Sequence, residues 1–227
     1  MKQFTQSEII KLYTTKVNLP DSYFKKYYDL PTTLLDTINN SWTNMDFPRI
    51  WCILDFKEWI EKHNIINGND LAITCATDPE LACLNYATKT LFHYPPYDLH
   101  KFKTDKQFDF FIFNQTIEHL YNPFICVENI FNVIKPGGYV FTSVPTLNIP
   151  HMMPFHFNGY SPLGLAMLFK SAGFEVVEIG QWGNYEYITQ LWKTHNWPSY
   201  KNLQHDNKIT NEKQNVCQCW ILARKPL

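Results

Sequence analysis

The stretch from Phe108 to Gly173 constrains the fold more than any other. It reads FDFFIFNQTIEHLYNP, then ENIFNVIKPGGYVFTSVP, and later YSPLGLAMLFKSAGFEVVEIG. FDFFIF is apolar at nearly every position, as a strand buried on both faces must be. Phe124, Val127, Ile130, Phe131 and Ile134 recur at three- and four-residue steps, which predicts a helix over 123–134 that KPGG stops. YVFTSVP is the next parallel strand. Ser161 and Pro162 cap a further helix ending at Gly173, and FEVVEIG is a strand. Strands alternating with helices at this spacing give a doubly wound α/β sheet, whose ligands sit beyond the carboxyl ends of the strands.

Upstream, LAITC (71–75) reads as a buried strand. Asp78 and Pro79 read as a cap and first helical position, PELACLNYAT as the helix, and TLFHY (90–94) as a second strand. Phe56 to His63 reads as helix. Only one helix and one strand separate Cys75 from Asp109, so one helix of the usual wound set is missing or reduced. SEIIKLYTTK and the stretch near Thr32–Asn39 read as short helices. Residues 1–50 are expected to form an N-terminal helical cap and 51–227 the α/β domain. Residues 183–214 are polar and poorly patterned, and NVCQCWILARKP closes the chain as a strand.

Bulk properties exclude several classes. With 20 basic and 21 acidic residues the formal net charge is −1, so no nucleic-acid partner is expected. The chain has no apolar run long enough to span a bilayer and no signal peptide is read, so a soluble, cytoplasmic protein is expected. The six cysteines lack a disulfide framework or zinc spacing and are read as reduced. The histidines read as scattered, with no acid-rich cluster beside them, so no metal is expected.

The three ordered segments resemble the class I S-adenosylmethionine-dependent methyltransferases, over about residues 68–182 plus the closing strand. The resemblance implies a Rossmann-like open, mostly parallel twisted sheet with helices on both faces and an antiparallel last strand. It implies S-adenosylmethionine as cofactor. HYPPYDLHKF and PTLNIPHMMPFHFNGYSPLGL further resemble methyltransferases of glycan and cell-envelope pathways, including sugar O-methyltransferases of large DNA viruses. A sugar or glycan hydroxyl is therefore the expected acceptor, in a monomer or homodimer, in the host cytoplasm if the source is viral. LAITCATDPE departs from the family: Ala72 stands where an acid is usual, and Thr74, Ala76 and Asp78 where glycines are. Such side chains narrow the adenosyl cleft, which motivates the alternative of a catalytically inactive binding or scaffold protein.

The resemblance assigns Thr74, Cys75, Ala76, His93, Tyr94, Asp98, Leu99, Asn114, Gln115 and Glu118 to the cofactor side. Asp98 reads equally as a residue that only shapes a turn. A hydroxyl acceptor must be aligned and relieved of its proton, and histidine suits that task near neutral pH. His156 and His151, on the loop after the fifth family strand, are the expected bases, His156 first, with His119 a third candidate. Asn148 and Tyr160 are expected to hydrogen-bond a sugar and Trp182 to stack on it. Arg49 and Trp51 are expected to close the far wall.

Overall fold

The computed structural model describes residues 3–27, 45–65, 67–76, 78–203 and 210–227. The helix expected near Thr32–Asn39 lies outside these residues, as does the side chain of Asp78. Six strands form one sheet: β1 (Asp70–Cys75), β2 (Thr88–Leu91), β3 (Phe108–Phe113), β4 (Ile134–Pro145), β5 (Glu175–Trp182) and β6 (Gln218–Arg224). Their order across the sheet is β2-β1-β3-β4-β6-β5. The β1/β2, β1/β3 and β3/β4 pairs are parallel, and β6 runs antiparallel between β4 and β5. This is the expected Rossmann-like architecture. The chain leaves β1 toward β2 and returns to its other side as β3, so the strand order switches direction at β1 and β3. A crevice opens at such a point.

Helices cover both faces. On one lie α1 (Gln6–Leu12, continued by a π-helical turn Tyr13–Val17), α5 (Pro123–Val133) and α6 (Pro162–Ser171), packed on Phe111, Phe113, Val140 and Ile221. On the other lie α3 (Phe47–Lys62) and α7 (Tyr185–Thr194), packed on Phe110, Ile112, Phe141 and Leu222. Short helices α2 (Asp21–Lys25), α4 (Asp78–Ala82) and α8 (Tyr200–Leu203) complete the set among the described residues. Ser161 caps α6 by accepting the Gly164 N–H, as its sequence position predicts.

Several expectations are corrected. The helix expected from Phe56 begins at Phe47, so it crosses the boundary placed at residue 50. Nearly every side chain of its first three turns is buried, and a helix apolar on all sides carries no amphipathic stripe to mark its start. The helix expected over PELACLNYAT is only the five-residue α4. A 3₁₀ turn, Leu99–Lys101, stands where a crossover helix would join β2 to β3. The KPGG segment belongs to β4, because Gly137 N–H donates to Lys225 O and Lys225 N–H to Gly138 O. Residues 183–214, read as unpatterned, contain α7 and α8. All six cysteines are free. Among the described residues no helix is long and apolar enough to cross a membrane.

One buried charge ties the layers together. Asp55 of α3 is fully buried and accepts from Tyr23 Oη (2.6 Å), Lys26 Nζ (3.1 Å) and Trp220 Nε1 (3.0 Å). Three donors offset much of the desolvation of a carboxylate. They also fasten α2 and α3 to β6.

Candidate active site

The crevice is built from the carboxyl ends of β1 and β3. Asn114, directly after β3, is fully buried and its N–H donates to Cys75 O (2.9 Å). Its Nδ2 donates to Glu80 Oε1 at 2.7 Å. Glu80, on α4, is itself fully buried and ion-paired with Arg49 of α3, which also donates to Ser143 Oγ on β4 (3.3 Å). Gln115 adopts a left-handed backbone, φ +48°, and its Nε2 reaches Ser143 Oγ at 3.0 Å. The short α4 therefore supplies one buried carboxylate that ties α3 to the residue after β3, beneath the crevice floor.

Glu118 sits in the 3₁₀ turn Ile117–His119. Its carboxyl is fully buried, and neither oxygen has a hydrogen-bond partner among the described residues. Burial pushes its pKa up to about 8, against the opposing effects of a backbone hydrogen bond and the Arg49 charge. Asn114 Oδ1 and Thr74 Oγ1 are likewise buried without partners. Native interiors rarely leave such acceptors unpaired. These oxygens suit a ligand that brings N–H donors, above all an amine.

At two of the replaced glycine positions, Thr74 and Ala76 are half-buried. Cys75 is exposed at the end of β1, and Ala76 packs against the core around α3. His93 and Tyr94 stand exposed beyond β2, Tyr94 at 72%. Two cofactor-side expectations are corrected. Leu99 is buried in the core at the turn before β3 and offers no surface to an adenine. Asp98 accepts from His100 Nδ1 (2.7 Å) and from His100 N–H (3.0 Å), so it caps the 3₁₀ turn. Its carboxyl stays below the usual range; burial raises it, but the hydrogen bonds and charge of His100 outweigh burial.

Beside the crevice lies a cavity of about 500 Å³. Arg49 and Gln115 form its inner wall, and Asn148, His151 and Trp197 its outer rim. Asp46, Gln218, Tyr187 and Leu191 also line it. Asn148 Oδ1 accepts from Trp197 Nε1 at 2.8 Å, and the Trp197 ring meets the His151 ring edge-on at 5.6 Å. Arg49 and Asn148 thus line this space. Three expected partners do not. Trp182 is fully buried between Phe47 and Tyr187, and Trp51 is fully buried against Tyr27. Tyr160 packs on the opposite core, under α6. Aromatic rings of this size are drawn to the core by the apolar area they bury. Trp197, Asp46 and Gln218 were missed by sequence reasoning. Trp197 and Gln218 lie in or beside polar segments without periodicity, and no local signal marks any of the three.

The three histidines converge. His119, His151 and His156 bring one ring nitrogen each within 4.8 Å of one another. The expectation that the histidines are scattered is corrected for these three. The loop folds back at Met152–Pro154, and His119 Nδ1–H donates to Phe155 O at 2.6 Å. Phe157 N–H donates to Glu118 O (2.8 Å) and Asn158 Nδ2 to Leu120 O (2.9 Å), which staple the loop to the segment after β3.

Residues 67–179 match the methyltransferase domain. The chain belongs to the class I S-adenosylmethionine-dependent methyltransferases. No curated protein matches it in sequence. The methyltransferase is similar in structure to an S-adenosylmethionine-dependent methyltransferase from Clostridium acetobutylicum ATCC 824. They share 9% identity at a TM-score of 0.53, over 86% of this chain and 98% of that one. Coclaurine N-methyltransferase, solved with N-methylheliamine and SAH, gives 11% identity and a TM-score of 0.50, over 99% and 89%. A "possible exported protein" from Bordetella parapertussis gives 12% and 0.50 over the same shares. At these identities the likeness is one of fold.

The methyltransferase uses S-adenosylmethionine, and the residues of the crevice fit that group. Asn114 Oδ1 and the Glu118 carboxyl are buried without partners, and an ammonium beside Glu118 would favour its ionised form. Cys75, His93 and Tyr94 stand exposed on the side toward β2.

Proposed function

We propose that this methyltransferase acts on a hydroxyl of a small polar acceptor, a sugar or glycan, held in the 500 Å³ cavity. The carrying observation is the cavity's lining. Asn148, Gln218, Asp46 and Arg49 supply hydrogen-bonding groups, while Trp197 and Leu191 supply apolar surface. A sugar presents both kinds of surface, with hydroxyls around the ring edge and apolar faces.

S-adenosylmethionine, when bound, supplies an electrophilic methyl group. The chain's own work is to hold the acceptor and accept its proton. Gln115 and Arg49 border both the crevice and the cavity, so they are the wall across which donor and acceptor meet. His151 lies on the cavity rim. Its Nδ1–H donates to Ile149 O at 3.1 Å, which fixes the tautomer that leaves Nε2 free to accept a proton. His151 therefore replaces His156 as the favoured base. His156 lies behind it, with Nδ1 facing the His151 N–H at 3.4 Å. Burial lowers the pKa of His119 and of His156, and the charge of His151 lowers both further. Both shifts disfavour the protonated forms.

The test is methyl transfer from isotopically labelled S-adenosylmethionine to a panel of methyl glycosides and, separately, to amines of similar size. Labelled methyl ethers support the reading. Transfer to amines alone overturns it.

A further inference from the structure

We propose that His119, His151 and His156 form a three-nitrogen site for a divalent transition-metal ion of the zinc type. The site stands on its own geometry and is independent of which acceptor is methylated.

Four observations carry it. First, the ligand atoms of the three histidines lie within 4.8 Å of one another. A tetrahedral ion about 2.0–2.1 Å from each nitrogen needs them about 3.3 Å apart, within reach of small side-chain rotations. Second, the three rings pack edge to face. Their centroids are 4.9, 5.8 and 4.7 Å apart, with interplanar angles of 89°, 82° and 71°. Stacked rings would turn their nitrogens away from a shared ion; nearly perpendicular ones can point them inward.

Third, outer hydrogen bonds already orient two of the ligands. His119 Nδ1 is bonded to Phe155 O (2.6 Å) and His151 Nδ1 to Ile149 O (3.1 Å). A carbonyl only accepts, so each Nδ1 carries the proton and each Nε2 carries the lone pair that binds metal. Metal-bound histidines are held in this way. His156 has one long contact, from the His151 N–H at 3.4 Å, which a small rotation gives up. Fourth, the buried Glu118 carboxyl lies 3.8 Å from His119 Nε2, close enough for a bound cation to favour its ionised form.

Three neutral imidazoles select zinc, cobalt, nickel or copper over magnesium or calcium, which prefer oxygen ligands. The fourth position is left to water or to an oxygen of a molecule in the adjoining cavity, which His151 lines. An ion there would take over from His151 the lowering of the acceptor's proton affinity.

The experiment uses the full, untagged chain stripped with chelator, then titrated with Co²⁺ and, in competition, Zn²⁺. The expected result is one equivalent of Co²⁺ with the intense visible bands of a low-coordinate nitrogen site, displaced by Zn²⁺ and not by Mg²⁺. His151→Gln and His156→Gln should each weaken binding at least about tenfold, while His195→Gln, exposed at the end of α7, should leave it unchanged. A second measurement needs no variant: bound Co²⁺ should broaden the imidazole proton signals of His119, His151 and His156 and spare those of His195. Failure of the wild type to bind Co²⁺, or broadening that spares these three rings, overturns the site. Binding of S-adenosylhomocysteine by the same preparation separates that failure from a failure of the methyl-transfer reading.

Discussion

Arg49 and Glu80 form an ion pair beneath the crevice, linking the longest helix of the described chain to one of the shortest. Glu80 also accepts from Asn114 Nδ2, so the pair fixes the residue that ends β3. Removing one partner would strand a buried charge. Arg49→Leu should therefore destabilise the fold by about 3–5 kcal/mol. Arg49→Leu combined with Glu80→Met should recover a large part of that loss. Urea denaturation of the single and double variants checks both.

His151→Ala should lower turnover by about 10²–10⁴-fold. Affinity for S-adenosylhomocysteine should change little, because His151 lines the cavity and not the crevice. Steady-state kinetics beside calorimetry separates the two effects.

Gly180 has no room for a side chain. A methyl group there would meet the Trp220 indole and lie 2.7 Å from Asp55 Oδ2. It would force apart the Trp220–Asp55 hydrogen bond that fastens α3 to β6. Gly180→Ala should cost about 1–3 kcal/mol, read as a lower thermal midpoint with the same secondary structure by circular dichroism.

Asp46 gives a pH dependence of defined sign. Burial pushes its carboxyl up to about 7, against a hydrogen bond from Tyr187, the Arg49 charge and the Phe47 N–H. The folded state thus holds this proton more tightly than the unfolded chain. Its contribution to stability is complete below the ordinary carboxylate value of 3.8 and is lost as pH rises through about 7. Asp46→Asn should remove that decline. Urea midpoints of wild type and variant at about pH 5 and about pH 8 should diverge in slope.

Trp197 closes the cavity rim through its bond to Asn148. Trp197→Ala should raise KM for the acceptor with a smaller change in kcat, while leaving S-adenosylhomocysteine binding intact. Initial-rate measurements at varied acceptor concentration check this.

The elements between Phe108 and Trp182 were legible because their signals are local. An all-apolar strand, a 3.6-residue period and a Ser-Pro cap each constrain the backbone within a few residues. So was the convergence of Asn114, Gln115 and Glu118 near one strand end, which follows from the position of β3 in a parallel sheet. The failures also have local causes. PELACLNYAT has helical composition, yet only five residues form helix, because the sheet resumes at Thr88 and leaves no length for more. Trp51, Trp182 and Tyr160 are amphipathic, and composition cannot tell a ring that lines a pocket from one that fills a core.

The sequence by itself determined the alternation of strands and helices, the parallel center of the sheet and the membership in a methyltransferase family, since these rest on periodicity and ordered motifs along the chain. Tertiary structure alone decided which polar groups meet. Arg49 and Glu80 are 31 residues apart, and His119 and His156 are 37 apart. Their encounters depend on how α3 packs and how the loop after β4 folds back, and burial set by the whole fold then fixes the charge each group can carry.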